Sequence, residues 1–172
     1  GVSSAVFVIT RLMKPIVVYV TIRNIRFRIY IDDGIVIAKS IGKTVHDAKF
    51  VIDIFKKCGF ILAEEKSDSL EDIGQIKQYL GLVLDTSSMS IAVPANKLAK
   101  FQATTTSLLA ALKKGPVPAR WIAQFAGLVV SMILATGKSV MIRLRIIFHE
   151  LQDAVISSSW DVRLNLSQEA VR

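Results

Sequence analysis

The 172-residue chain has one cysteine, Cys58, and only two histidines, His46 and His149. A single cysteine excludes an internal disulfide and any zinc site built from cysteines. The two histidines lack the spacing of metal ligands, so they are interpreted as ordinary surface or core residues. The sequence shows no secretory signal pattern and begins with Gly rather than Met, so we expect it to be a piece of a longer protein.

Acidic residues are missing from two long stretches. Residues 1–31 carry five basic residues and no acidic one, and residues 86–149 carry eight basic residues and no acidic one. Ten acids and seven bases lie between these stretches, in residues 32–85. A cationic body beside a locally acidic centre suits a polyanion bound around a metal site. A generic basic surface is the alternative interpretation.

The chain also has few charges for its length, with 21% charged and 52% hydrophobic residues. This composition excludes intrinsic disorder and allows one domain, or two small subdomains, with a real core. Residues 121–137 contain no charged side chain over 17 positions. A bilayer crossing needs about 20 residues, so this segment is predicted to be a buried core helix, with a membrane-associated protein as the alternative.

The pattern around which the chain is organised lies in residues 27–38. Apolar and polar residues alternate up to Ile31, as in a half-buried strand, and residues 34–38 read as a second strand. Asp32, Asp33 and Gly34 are predicted to form the turn between them. Two adjacent carboxylates are costly unless a cation or proton offsets them, so the pattern predicts a Mg²⁺-binding hairpin. A simple polar turn is the alternative.

Helical periodicity flanks this hairpin. We predict a helix over residues 4–19, weakened at Pro15, and a second helix that begins at Thr44 and stops at Gly59. Thr44 and Asp47 are read as a capping box. The apolar stripe of the second helix is predicted to consist of Val45, Ala48, Ile52 and Phe55.

The remaining elements complete an α+β order. A short strand is predicted over residues 60–63, followed by a hairpin of residues 79–84 and 89–93. Pro94 opens the first of three further helices, which reaches Leu112 and is predicted to bury Leu98, Phe101, Leu108 and Leu112. The other two helices are predicted over residues 119–135 and 139–155, and Ser167 is a candidate helix cap. The last of the three is predicted to bury Val140, Leu144, Ile147, Leu151 and Val155.

Several ordered segments of the chain resemble motifs of reverse transcriptases. Tyr30-Ile31-Asp32-Asp33 resembles the YxDD box of that family, on the hairpin where the family carries it. The companion segments are Gly1-Val2-Ser3-Ser4-Ala5, Gly59-Phe60 with Glu64-Glu65-Lys66-Ser67, and Tyr79-Leu80-Gly81, which is similar to a primer-grip hairpin. Within that family, the sequence most resembles the reverse transcriptases of DIRS-like, tyrosine-recombinase retrotransposons. The similar segments are Lys14-Pro15, Asp32-Asp33-Gly34 and residues 120–127.

The resemblance implies a domain arrangement. Residues 1–93 would be the C-terminal part of a polymerase palm, residues 94–156 a helical thumb, and residues 157–172 a linker toward an RNase H-like region. Val6 and Ile9 depart from the family, which usually has Pro and an aromatic residue there. The family's first metal-binding aspartate lies before the point that matches Gly1, so we expect this chain alone to bind metal poorly and not to polymerise.

The resemblance also implies roles for individual residues. Asp32 would ligate Mg²⁺ directly, with Mn²⁺ as an alternative, and Asp33 would support or share the ion. Lys66 would protonate the leaving pyrophosphate, while Gly1 and Tyr30 would contact the nucleotide. The residues implied to contact primer or template are Tyr79, Leu80, Gly81, Lys97, Lys100, Lys113, Lys114 and Arg120.

The function implied is RNA-directed DNA polymerisation by two-metal-ion nucleotidyl transfer. The expected partners are an RNA or DNA template–primer, a deoxynucleoside triphosphate, and the remaining palm, fingers and RNase H parts of the same polyprotein, in an intracellular setting without a membrane. A non-catalytic remnant that binds nucleic acid electrostatically is the alternative.

Overall fold

The computed structural model describes residues 4–63, 65, 67–156 and 158–171. It shows helices together with small antiparallel sheets, which confirms the general α+β prediction. The chain forms two compact units that divide between Gln75 and Ile76. The assignment of palm and thumb, with its boundary after residue 93, stays a prediction.

The first unit packs two helices on one face of a hairpin. Its elements are α1 (Ala5–Thr21), β1 (Arg26–Tyr30), β2 (Asp33–Ile37) and α2 (Ile41–Lys57). The buried core residues are Met13, Ile16, Val20, Ile25, Phe27, Val51 and Phe55. The rings of Phe27 and Phe55 meet edge to face with centroids 5.8 Å apart, which fixes β1 against α2.

The boundaries of both helices of this unit differ from the sequence prediction. Helix α1 continues through Pro15, so the predicted weak point does not end it. Helix α2 begins earlier than Thr44, because the Ser40 hydroxyl caps it by accepting a hydrogen bond from the Lys43 amide. The predicted Thr44–Asp47 capping box is therefore wrong. Thr44 instead donates to the carbonyl oxygen of Ser40 at 2.9 Å.

Asp47 is the one buried charged residue among those that the structure describes. Both of its carboxylate oxygens accept hydrogen bonds from Lys43 Nζ at 2.9 Å, and His46 Nδ1 lies 3.3 Å from Oδ1. Burial raises the pKa of Asp47, but the hydrogen bonds and charges of Lys43 and His46 outweigh it and hold the pKa below 3.8. Of the predicted apolar stripe of α2, Phe55 is buried, whereas Val45, Ala48 and Ile52 are half-buried. The other two buried positions of α2 are Asp47 and Val51.

Stability should fall in acid partly through Asp47. A carboxyl whose pKa is lower in the folded chain contributes stability above about pH 4 and loses it as pH falls through the folded pKa. We expect the free energy of unfolding, measured in urea between about pH 5 and pH 2, to fall less steeply for Asp47→Asn than for the wild type. Asp53→Asn, which removes an exposed partner of Lys57, is the control and should keep the wild-type slope.

The second unit combines a three-stranded sheet with helices. Its strands are β3 (Ile76–Tyr79), β4 (Leu82–Asp85), β5 (Ser90–Ala92), β6 (Val117–Pro118) and β7 (Arg163–Leu164). Its helices are α3 (Ala95–Leu112), α4 (Ala119–Val130), α5 (Ile133–Thr136), α6 (Ser139–Ile156) and α7 (Gln168–Val171). The sheet order is β3-β4-β5, antiparallel throughout, and β6 pairs with β7 in a separate small sheet.

The helices of this unit enclose their own core. Buried residues from α3, α4 and α6 form it, including Leu108, Ile122, Ala126, Leu144 and Leu151. The inward stripe predicted for the last long helix is confirmed, because Leu144, Ile147 and Leu151 are buried and Val140 and Val155 pack beside them. The predicted Ser167 cap is also confirmed, since its hydroxyl accepts from the Ala170 amide at 3.2 Å.

Four sequence predictions are corrected here. Residues 60–63 form no strand, and the predicted strand 79–84 is interrupted by a turn at Leu80 and Gly81. The predicted helix 119–135 ends at Val130 and resumes at Ile133. Leu98 is 45% exposed rather than buried.

The C-terminal residues fold onto the second unit. Strand β7 pairs with β6, and the amide of Ala119 donates to the carbonyl of Val162 at 2.9 Å. Residues 158–171, predicted as a linker, thus pack beside α4 and α6, through Val162, Leu164 and Leu166 among others. No helix in the described part of the chain is both long enough and apolar enough to cross a membrane.

Candidate metal and nucleic-acid site

The two adjacent aspartates lie at the tip of the β1–β2 hairpin. Tyr30 pairs with Asp33, so the turn consists of Ile31 and Asp32 alone. The predicted turn of Asp32, Asp33 and Gly34 is therefore shifted by one residue, because Asp33 and Gly34 already belong to β2. Both aspartates are exposed, as is Tyr30 at 60%.

One face of this hairpin is packed against the helices and the other is exposed. Phe27 lies opposite Val36 and Ile29 opposite Gly34, and this face packs on the helices. A Cβ added at Gly34 would lie 3.0 Å from Phe27 Cε2, so glycine leaves room for the Phe27 ring beside β2.

The other face is turned outward and is polar along β1. It carries Arg26, Arg28, Tyr30 and Asp33, since residues directly opposite one another in a ladder share a face. Asp33 thus shares a surface with two guanidinium groups, and Asp32 stands at the end of that surface. A packed underside holds both carboxylates at the edge of an exposed cationic face.

The turn holds a β-branched residue in an unfavourable conformation. Ile31 has φ +59°, a value that an isoleucine rarely adopts because its branched side chain crowds the backbone. Such a residue costs on the order of 1–3 kcal/mol and persists only where the surroundings enforce it. Here the strand pairs on either side enforce the tight turn beside Asp32.

Relieving this strain should stabilise the chain. Asn tolerates positive φ better than Ile, so Ile31→Asn is expected to raise the free energy of unfolding by about 0.5–1 kcal/mol. The matched control is Ile35→Asn, on the outward face of β2 without positive φ, which should lower it. Urea unfolding of both variants measures this, and a loss of stability in Ile31→Asn as large as in Ile35→Asn would contradict the assignment of strain.

The hairpin tip presents two carboxylates, Asp32 and Asp33, as candidate magnesium ligands. Mg²⁺ is usually bound by one or two protein carboxylates together with water and substrate phosphates, and Asp32 and Asp33 supply such a pair. The described residues contain no group of three or more His, Cys, Asp or Glu side chains that could hold a metal ion. The pair therefore fits a site that needs a substrate or a further carboxylate to bind Mg²⁺ tightly.

Asp85, unlike Asp32 and Asp33, accepts hydrogen bonds from neighbouring serines of its own turn. Hydrogen bonds from the Ser87 and Ser88 hydroxyls, aided by their amides, lower its pKa to about 2. The distances from Asp85 Oδ1 to Ser87 Oγ and N are 2.5 and 2.8 Å. This carboxylate orders the β4–β5 turn.

The segment similar to a primer grip forms the β3–β4 turn. Tyr79 pairs with Leu82, and the central residues Leu80 and Gly81 have φ of +49° and +71°. Two consecutive positive values are those of a type I′ turn, which matches the twist of a hairpin. Leu80 is thus a second bulky residue held in this conformation, and its side chain is 45% exposed at the tip.

Lys97 holds this turn in place. Its Nζ donates to the carbonyl oxygens of Gly81 and Ser131, both at 3.1 Å. Ser131 follows the last residue of α4, so the ammonium also binds the carbonyl end of that helix, where a cation is favourable. A residue predicted to contact phosphate therefore already links the β3–β4 turn to α4.

Removing this link should cost stability. Hydrogen bonds from a charged group are worth about 1.5–3 kcal/mol, and this one is partly exposed, so Lys97→Met is expected to lower the free energy of unfolding by about 1.5 kcal/mol. Lys100→Met, on the exposed side of α3, should change it by less than about 0.5 kcal/mol. Equal effects in urea unfolding would show that the two carbonyl contacts contribute nothing.

The other predicted cations lie at separate places on the second unit. Lys100 is exposed on α3. Lys113 and Lys114 line a cavity of about 680 Å³ whose other walls include Leu109, Leu112 and Leu166. Their contact with phosphate stays a prediction.

Arg120 is also exposed, but it already has an acidic partner. Its Nε donates to Asp161 Oδ1 at 2.7 Å, and that hydrogen bond lowers the pKa of Asp161. Two further predicted site residues, Gly1 and Lys66, lie outside the described residues.

The cationic residues around the base of the β1–β2 hairpin were not among the predicted site residues. Arg26, Arg28, Lys39 and Lys43 line one cavity there. The alternation of arginine with apolar residues along β1 was the available signal, because it places both guanidinium groups on the outward face.

Comparison with protein-family models, curated proteins and solved structures gave no match to this chain.

Proposed function

We propose that this chain is part of an RNA-directed DNA polymerase, and that the tip of the β1–β2 hairpin holds the metal end of its active site. The observation that carries the proposal is the tight turn, which presents two exposed aspartates beside a residue with φ +59°. Strained backbone at an exposed acidic turn is typical of a site maintained for chemistry rather than for stability. The ordered resemblance of four segments to reverse transcriptases supplies the reaction class.

In this proposal the described residues bind and orient the reactants. Asp32 and Asp33 would hold Mg²⁺, and the ion would supply positive charge that stabilises the attacking and leaving oxygens of nucleotidyl transfer. Tyr30 shares a face with Asp33 and contacts the primer end or the nucleotide. Leu80 and Gly81 position the primer through the shape of their turn, which Lys97 fixes.

The chain alone should not extend a primer. Two carboxylates without a third leave the metal dependent on substrate, and no group of three candidate ligands occurs within the described ranges. The family supplies the third carboxylate from an earlier strand. The proposal therefore concerns a polymerase in which this chain is joined to a preceding segment that carries such an aspartate.

The test is primer extension on an RNA template with Mg²⁺. The protein tested is this chain joined to a preceding palm segment that carries the third aspartate. Extension that stops on adding a chelator and resumes with Mg²⁺ supports the proposal. Absence of extension in a protein that is folded and binds the template–primer would overturn it.

A second candidate is a nucleic-acid-binding protein without catalysis. The absence of acids from residues 86–149 favours it, because phosphate neutralisation needs only exposed cations such as Lys113 and Lys114. Binding of duplex would then weaken steeply with salt and would be indifferent to Asp32 and to Mg²⁺. If the joined polymerase binds the template–primer duplex normally but does not extend the primer, this second candidate is supported.

A further inference from the structure

A cavity of about 390 Å³ lies at the base of the β1–β2 hairpin, at the opposite end from the aspartates. Four segments of the first unit line it: the end of α1 with the α1–β1 connection, the outward face of β1, the end of β2 with residues 38–39, and the start of α2. Tyr30 at the tip lies four positions after Arg26 at the base, about 13 Å along a strand. The cavity is therefore a place separate from the metal end.

The charge of this cavity is strongly positive. Its lining includes the four cations Arg26, Arg28, Lys39 and Lys43, against one carboxylate, Asp47. Four positive charges and one negative charge give the lining a net charge of +3. Concave, cationic walls concentrate anions, since the surrounding protein focuses the field into the opening.

Two of the cations are oriented by the protein itself. Asp47 is buried and accepts two hydrogen bonds from Lys43 Nζ, which holds that ammonium at the wall of the cavity. One guanidinium nitrogen of Arg28 donates to the carbonyl of Phe27 at 2.8 Å, which leaves its other donors available. Oriented donors lose less conformational entropy on binding, so they favour a ligand more than mobile lysines do.

The remaining walls of the cavity are uncharged. Ile25, Ile37 and Ala38 supply apolar surface, and Thr21 and Asn24 supply polar groups. The volume lies within the range of about 300–1,000 Å³ common for small-molecule sites. Helix α2 begins at Ile41, and the N-terminal end of this 17-residue helix adds positive potential.

We infer that this cavity binds a phosphate group, with the two arginines and Lys39 contacting its oxygens and Lys43 contributing charge from the wall. Guanidinium groups match phosphate oxygens in geometry, which favours phosphate over other anions. Small phosphorylated molecules and the nucleic-acid backbone both present such a phosphate, and the chemistry recognised is the same in both. The inference uses neither Asp32 nor polymerase activity.

The test measures binding to the 172-residue chain by calorimetry at low salt, with two probes. One probe is inorganic pyrophosphate, and the other is a single-stranded oligonucleotide without terminal phosphates. Arg26→Gln combined with Lys39→Gln should weaken at least one probe about tenfold, the loss expected for about two charged contacts. Weakening of pyrophosphate alone assigns the cavity to small phosphorylated molecules, and weakening of the oligonucleotide assigns it to backbone phosphate.

The matched control is Lys49→Gln combined with Lys138→Gln, which removes the same charge from exposed positions outside the cavity. This control should bind both probes within about twofold of the wild type. Equal losses in the two double variants, or no binding of either probe to the wild type, would overturn the inference.

Amide NMR locates the binding without any variant. Saturating pyrophosphate or oligonucleotide should shift the signals of residues 24–28 and 37–43 most strongly. Largest shifts elsewhere in the chain would contradict the inference even if the double variant failed to fold. The binding tests contain no Mg²⁺ and measure no primer extension, so failure of this inference and failure of the polymerase proposal give different results.

Discussion

Asp32→Asn is expected to reduce primer extension by the joined polymerase at least about a thousandfold. Asparagine keeps the size of the side chain but removes the negative charge that would hold Mg²⁺ at the tip of the hairpin. A metal ion contributes several kcal/mol of charge stabilisation in the transition state, and each 1.36 kcal/mol is about tenfold in rate. Single-turnover extension of a labelled primer measures the effect on the chemical step.

The matched control is Asp53→Asn, an exposed aspartate of the same unit that pairs with Lys57 on α2. It should leave the extension rate within about twofold of the wild type, since weak surface pairs contribute little. The Asp32→Asn protein must also keep its affinity for the template–primer duplex. Equal extension rates for the wild type and Asp32→Asn would remove Asp32 from the mechanism.

Lys43→Met is expected to lower the free energy of unfolding by about 2 kcal/mol. The change leaves the buried Asp47 carboxylate with the His46 ring as its remaining side-chain partner among the described residues. Breaking a buried ion pair costs about 3–5 kcal/mol, and the figure is reduced here because Lys43 is half exposed. Urea unfolding at neutral pH measures the change.

A double variant distinguishes a stranded charge from lost packing. Lys43→Met combined with Asp47→Leu replaces both partners by apolar side chains, and we expect it to recover at least half of the loss. Lys49→Met, an exposed lysine on the same helix, is the control and should change stability by less than about 0.5 kcal/mol. A double variant less stable than Lys43→Met alone would contradict the ion-pair explanation.

Periodicity was sufficient to predict the elements whose burial follows a regular pattern. The alternation along β1 placed Phe27 in the core and Arg28 outside, as the structure has them. The inward stripe of α6 was predicted from the same kind of pattern, with Leu144 and Leu151 buried. In both elements one face meets a single packed layer, so sequence spacing maps directly onto burial.

The positions of the turns and helix ends could not be predicted from local conformational propensity. Ile31 and Leu80 adopt positive φ against their intrinsic preference, because the strand pairs around them require it. Sequence rules look for Gly or Asn in such turns, so the β1–β2 turn was placed one residue late.

The break between α4 and α5 was missed for a similar reason. Residues 119–135 read as one apolar helix, whereas the Ser131 carbonyl accepts from Lys97, which lies far away in sequence. Tertiary contacts of this kind decide where an element ends.

The candidate site was predictable in part. The paired aspartates follow from the sequence, and so does the outward position of Tyr30. The cavity lined by Arg26, Lys39 and Lys43 could not be predicted, because it forms only when β1, β2 and α2 are brought together.

Paramagnetic broadening by Mn²⁺ tests most directly whether the hairpin tip binds a divalent ion. Mn²⁺ takes the same oxygen ligands as Mg²⁺ and broadens NMR signals near it even when it binds weakly. Titrated into the 172-residue chain, it should broaden the amides of residues 30–34 first, and this effect should disappear in Asp32→Asn combined with Asp33→Asn. Earliest broadening elsewhere in the chain, or broadening at the tip that survives the double substitution, would contradict the assignment of these two aspartates as metal ligands.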